Sequence, residues 1–224
     1  MAEFDALANR NEYENHSIQK QKILDDIEQI IIDSKSSLEG NSFYVHASLT
    51  LYSDLYTKQQ NLFWCGKQAF TKICEIGFNA GHSTMLMLLG RDTTPLDFTI
   101  FDIGEHPYTT PCLTYIKSQF QHIHFEYIEG DSTVTMPKYI EANQTCLRLY
   151  DVVHVDGGHS EHCISNDMKN ADLLVKRGGI VIIDDTTIEH IYNCVNLYLS
   201  NGKYREMEVL ETNGYPHRII QKIS

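Results

Sequence analysis

Two apolar runs constrain this chain more than anything else in it. DVVHVD spans 151–156, GGIVIIDD spans 178–185, and a helix-length segment lies between them. Strand-like runs rich in Val and Ile on either side of a helical stretch make a strand–helix–strand unit, which requires neighbouring parallel strands. Both runs also stop abruptly at carboxylates, the first at Asp156 and the second at Asp184 and Asp185. In an open parallel sheet, ligands collect beyond the carboxyl ends of the strands. The three acids are therefore expected in one shared site. His159 follows Asp156 by three residues, bringing an imidazole that can accept a proton near neutral pH.

The same alternation extends outward. KICEIG, DFTIFDIG and HFEYIEGD read as strands, with helices predicted over STMLMLLG, around 111–121, over 160–176 and around 188–199. YREMEVLE and HRIIQKI close the chain as two strands separated by the turn residues Asn213-Gly214, adding an antiparallel edge. The expected fold is α/β, a doubly wound and mostly parallel Rossmann-like sheet with a reversed C-terminal strand. Before it, Ile18, Ile23, Leu24, Ile27, Ile30 and Ile31 recur near a 3.6 period and predict an amphipathic helix over 17–33. Residues 1–16 are polar and read as a loose arm. Residues 41–66 carry Phe43, Tyr44, Tyr52, Tyr56, Phe63 and Trp64, which suit a cover over the site or a contact between copies of the chain. The expected organisation is an arm and cover over 1–66 and a catalytic unit over 67–224.

Composition narrows the partners. A formal net charge of −12 argues against nucleic acid or an anionic membrane surface, both of which require a cationic face. A neutral or cationic small molecule suits that field better. No apolar run is long enough to span a bilayer, and the N-terminus lacks the basic-then-apolar pattern of a secretory signal. The six cysteines form no CxxC pair, so a reducing, cytoplasmic location is expected, with Cys74 a buried thiol.

CEIGFNAGHST lies between a strand and a helix, the setting of a nucleotide-binding turn. Asp102 lies about 20 residues beyond Gly81, the separation at which an acid can accept ribose hydroxyls. The spacing is Gly-x-x-x-Gly, and Glu75 sits just before it, where a carboxylate would repel a pyrophosphate. A cationic, phosphate-free adenosine ligand fits better, favouring S-adenosylmethionine over NAD.

Glu75-Ile-Gly77-Phe-Asn-Ala-Gly81, then Asp102, then EGDS at 129–132, then DVVHVD and GGIVIIDD, resemble the ordered motifs of class I S-adenosylmethionine-dependent methyltransferases. The Asp-Gly-Gly-His segment with a terminal Asp-Asp is similar to the metal-dependent O-methyltransferases, catechol and macrolide-sugar enzymes among them. The resemblance implies that Gly77, Phe78 and Gly81 line the methionine portion, that Ser83 meets its carboxylate, and that Glu75 organises the turn. Asp102 would hold the ribose, while Asp131 and Ser132 would border the adenine. Asp156 would face both the cofactor and a divalent metal, Mg²⁺ first, whose other ligands would be Asp184 and Asp185. His159 would be the general base. Asn79 departs from the pattern, because many members have glycine there.

The residues also allow other roles. Asp131 and Ser132 can be helix caps, Asp185 can cap the helix after it, and His162 competes with His159. His154, inside the strand run, reads as a core histidine, and His82 as a cofactor contact or an exposed residue. The expected activity is methyl transfer to a hydroxyl of a sugar diol, with a catechol as alternative. The competing classes are a nicotinamide-dependent oxidoreductase, a metal-independent methyltransferase and a non-catalytic binding protein on the same fold.

Overall fold

The computed structural model describes residues 6–40, 55–91, 93–207 and 217–224. Phe43, Tyr44, Tyr52 and the Asn213-Gly214 turn lie outside them. Three helices lead: α1 (Ala6–Gln19), α2 (Gln21–Asp33) and α3 (Leu55–Gly66). Alternation then begins with β1 (Lys72–Ile76), α4 (His82–Leu89), β2 (Leu96–Asp102), α5 (Thr109–Gln119), β3 (Ile123–Glu129) and α6 (Ser132–Ala142). It continues through β4 (Tyr150–Val155), α7 (Glu161–Leu174), β5 (Val175–Ile183) and α8 (Glu189–Ser200), and ends in β6 (Tyr204–Glu206) and β7 (Arg218–Lys222).

The sheet runs β3-β2-β1-β4-β5-β7-β6. Strands β1 to β5 pair in parallel, and β7 is antiparallel to both β5 and β6. Strand order reverses between β1 and β4, and the crevice above such a switch point is where ligands bind. Alternating residues on each strand feed two cores. Ile73, Val152, Ile180 and Ile219 pack with α1–α5 on one face, while Cys74, Val153, Val181 and Ile220 pack with α6–α8 on the other. Each such fully buried side chain contributes about 1.5–3 kcal/mol. Cys74 is fully buried and free, as are the other cysteines in lacking a disulfide. No helix among the described residues is long and apolar enough to cross a membrane.

Of the arm expected over 1–16, the described part is instead helical from Ala6 onward. Helix α1 turns Asn9, Tyr13 and Ser17 inward at helical spacing. Asn9 Nδ2 donates to the Gln60 carbonyl at 3.0 Å, and the Tyr13 hydroxyl donates to Gln59 Oε1 at 2.8 Å. A buried face built largely of polar residues leaves no apolar period to read. The amphipathic helix starts at Gln21 and not Ser17, because Lys20 separates α1 from α2 and donates to the Leu89 carbonyl at the end of α4 (2.7 Å). Helix α6 has no sequence signal beyond the capping role open to Asp131 and Ser132, since Pro137 and the β-branched Thr133, Val134 and Thr135 mask it.

Candidate functional site

The ladder bonds run one residue past several strands and level their ends. Gly77 N–H donates to the Phe101 carbonyl (2.8 Å), Gly130 N–H to Asp102 (2.8 Å), Asp156 N–H to Ile76 (2.9 Å) and Asp184 N–H to Val155 (3.0 Å). Along that edge, Asp102, Asp156 and Asp184 share one cavity of about 470 Å³ with the glycine turn, His159 and residues of α3.

On the β1–β3 side, side chains are bonded mainly to their own backbone. Gly77 adopts φ +89°, and a Cβ there would lie 1.9 Å from the Asp156 carbonyl oxygen. It is glycine because two strand ends touch. Gly81, at φ +83°, is crowded by the rings of Phe78 and the side chain of Ile116. Asn79 also has positive φ, 54°, a region asparagine enters more readily than most residues. The departure from glycine thus keeps the turn's path.

Asp102, expected to hold ribose, accepts three backbone amides. Oδ2 takes Phe78 N–H at 2.7 Å and Asn79 N–H at 2.8 Å, and Oδ1 takes Gly104 N–H at 2.7 Å. It clamps the glycine turn to the end of β2. Glu75 is fully buried beneath the turn and accepts Ser83 Oγ (2.6 Å) and the Thr84 hydroxyl. The Ser83 hydroxyl proton is therefore directed at Glu75 and not at a ligand carboxylate, although Ser83 lines the cavity. Asp131 caps α6, accepting Thr133 N–H at 2.8 Å and its hydroxyl at 2.7 Å. Those bonds, the hydroxyl's first, hold its carboxyl below the usual range. Asp131 and Ser132 still line the cavity wall.

The β4–β5 side is built from ionic contacts between side chains. Glu75 and His154 are register partners on β1 and β4, and His154 Nδ1 meets Glu75 Oε1 at 3.0 Å. Burial opposes charge on His154, but Glu75 and Asp156 together raise its pKa. Its Nε2 lies 3.9 Å from Asp156 Oδ2. The core histidine thus links the turn to the acids.

Lys58 of α3 projects its ammonium between Asp184, which it contacts directly, and Asp156 at 3.6 Å. Burial raises the pKa of Asp156, with the neighbouring Asp184 charge adding to the rise and Lys58 opposing it. Burial acts on Asp184 in the same sense, but Lys58 and His154 outweigh it and hold that carboxyl low. Asp185 has φ 53° and points elsewhere, its Oδ2 lying 2.8 Å from His159 Nε2. It is not the cap of α8, whose N-cap is Ile188. The expected trio is therefore divided: His154, Asp156 and Asp184 converge in one group, and Asp156, His159 and Asp185 in another. His82 is buried and lines the cavity, and burial, aided by Lys58, lowers its pKa to about 4, so it is neutral.

Lys58 was not anticipated from the sequence. Its one signal is that it is the sole charged residue in LYTKQQNLFWCG.

The profile of the methyltransferase domain family matches residues 74–186, from β1 through the acids after β5. The chain belongs to that family. No curated protein matches this methyltransferase in sequence. Among solved structures it is similar to an O-methyltransferase from Bacillus cereus in complex with SAH, at 13% identity over 91% of each chain and a TM-score of 0.61. It is also similar to a TDP-rhamnose 3'-O-methyltransferase of calicheamicin biosynthesis, at 14% identity over 91% of this chain and 94% of that one, TM-score 0.59. A third is TomG, an O-methyltransferase from Streptomyces achromogenes involved in tomaymycin synthesis, in complex with SAM (13% identity, 90% of each chain, TM-score 0.59). At such identities the likeness is one of fold, the class I methyltransferase sheet.

Proposed function

We propose that this methyltransferase moves a methyl group from S-adenosylmethionine to a hydroxyl of a small polyol, a vicinal diol of a sugar before a catechol. One observation carries the reading. The glycine-turn cradle and the His159–Asp185 pair open into the same cavity, whose described lining holds seven carboxylates and a single lysine. A pyrophosphate is repelled there and a sulfonium is attracted, which disfavours NAD. The bound sulfonium supplies an electrophilic methyl whose S–C bond breaks with its electron pair passing to sulfur.

The chain's own part is alignment and proton removal. Asp185 holds the His159 ring, and that imidazole takes the acceptor hydroxyl proton as the new O–C bond forms. Among the described residues, Asp184 Oδ1 is buried without a hydrogen-bond partner, a position suited to receiving a second acceptor hydroxyl. A polyhydroxyl acceptor offers the polar end of the cavity more hydroxyls than a catechol, which has two.

The divalent ion expected at Asp156, Asp184 and Asp185 does not fit these residues as they stand. The Lys58 ammonium is already seated against Asp156 and Asp184, and Asp185 is engaged with His159.

Calorimetric titration tests the central claim. S-adenosylhomocysteine should bind with measurable heat and NAD with none. Absence of heat with S-adenosylhomocysteine would sink the proposal, and heat with NAD alone would favour an oxidoreductase. A methyl-transfer screen over sugars and catechols then decides the acceptor.

A further inference from the structure

The geometry points to Lys58 as the resident cation of the acceptor site, a protein-borne ammonium standing where the neighbouring acids would otherwise gather a divalent metal. This rests on the methyltransferase reading only for the word acceptor; the cation assignment stands on the residues themselves. Asp156 and Asp184 end adjacent parallel strands, and the sheet register brings them side by side. Glu75, fully buried and level in the register with His154, two residues before Asp156, adds a third carboxylate through that histidine. Such a group needs positive charge.

Lys58 supplies it from α3, whose inner face is locked into the core. Leu62 and Phe63 are fully buried, and Gln59 and Gln60 are tied to α1. Its side chain is largely buried and reaches Asp184 directly and Asp156 at 3.6 Å. An ammonium among these carboxylates excludes a dication from the same oxygens, since the two cations would repel at contact range. The other nearby group, Asp156 with His159 and Asp185, is already paired through His159. Lys58 is accordingly a positioning residue: it fixes the two acids that face the acceptor and removes the requirement for a metal.

Manganese titration of the full chain, followed by electron paramagnetic resonance of the free ion, tests this without any acceptor. Wild type should leave the free-ion signal undiminished into the millimolar range, and Lys58→Arg should behave alike. Lys58→Met should take up one Mn²⁺ per chain, with an affinity raised on the order of 100-fold, and Asp184→Asn should abolish that uptake. Micromolar binding by wild type that Asp184→Asn removes would overturn the assignment, and so would failure of folded Lys58→Met to gain a site. The wild-type titration decides even if Lys58→Met does not fold. Cofactor heat is unaffected by either outcome, so failure of this inference and failure of the methyltransferase reading are distinguishable.

Discussion

The two halves of the cavity are built on different physical terms. On the β1–β3 side, Asp102 and Asp131 direct their carboxylates at backbone amides of adjoining turns. On the β4–β5 side, Lys58, His154 and His159 meet Asp156, Asp184 and Asp185 in side-chain ionic contacts. A carboxylate bonded to amides fixes a shape, whereas buried carboxylates facing cations store charge that an incoming hydroxyl can use. The first half is therefore a rigid cradle and the second an electrostatic device. The two meet where Gly77 touches the Asp156 carbonyl.

That meeting point gives the largest expected effect. Gly77→Ala drives a methyl group into backbone and imposes a positive φ on alanine, so unfolding free energy should fall by about 4 kcal/mol or more. Urea denaturation reads it directly. A variant of normal stability would mean that the halves are not in contact and that the comparison has no seam.

His159→Ala tests the electrostatic half alone. Turnover should drop by about 10³-fold, with S-adenosylhomocysteine affinity unchanged. Loss of affinity instead of turnover would place His159 in the cradle, and full activity at every pH would remove it as the base. Asp102→Ala is the reciprocal change. Three amides lose their acceptor, costing about 3 kcal/mol of stability and weakening cofactor binding. If affinity falls while stability holds, Asp102 serves the ligand and not the turn, and the contrast between the halves weakens.

The same contrast explains what could be read from the chain. Strand ends are local signals: DVVHVD and GGIVIIDD carry their carboxylates with them, and Gly77 and Gly81 mark their own turn. The sheet and its reversed last strand followed from such signals, whereas the trio expected to converge, Asp156, Asp184 and Asp185, is divided between two groups. The partners of those acids did not follow from local signals. Lys58 lies 126 residues from Asp184, and no local pattern encodes a contact at that separation. The direction in which Asp102 points depends on the path of the turn after β1, which only the folded backbone defines. Helix α1 stayed hidden for a third reason, because Asn9, Tyr13 and Ser17 bury a polar face that hydrophobic periodicity cannot report.

The smallest predicted effect concerns Asp167, which sits behind both halves: its Oδ2 would lie 3.1 Å from a Cβ at Gly157. Burial pushes its carboxyl up to about 6, with the Ser132 hydroxyl pulling the other way. A carboxyl raised on folding binds its proton more tightly in the native state than in the unfolded one. Its contribution is therefore most favourable below the ordinary carboxylate pKa and is lost as pH rises through about 6. At neutral pH the buried charge should therefore cost stability. Asp167→Asn should then be the more stable protein at pH near 7, and its advantage should vanish toward pH near 4, as followed by thermal unfolding across that range. A pH-independent advantage would trace the gain to packing. A loss at neutral pH would show the carboxylate to be held by amides or hydroxyls, and would assign Asp167 to the cradle and not to the electrostatic half.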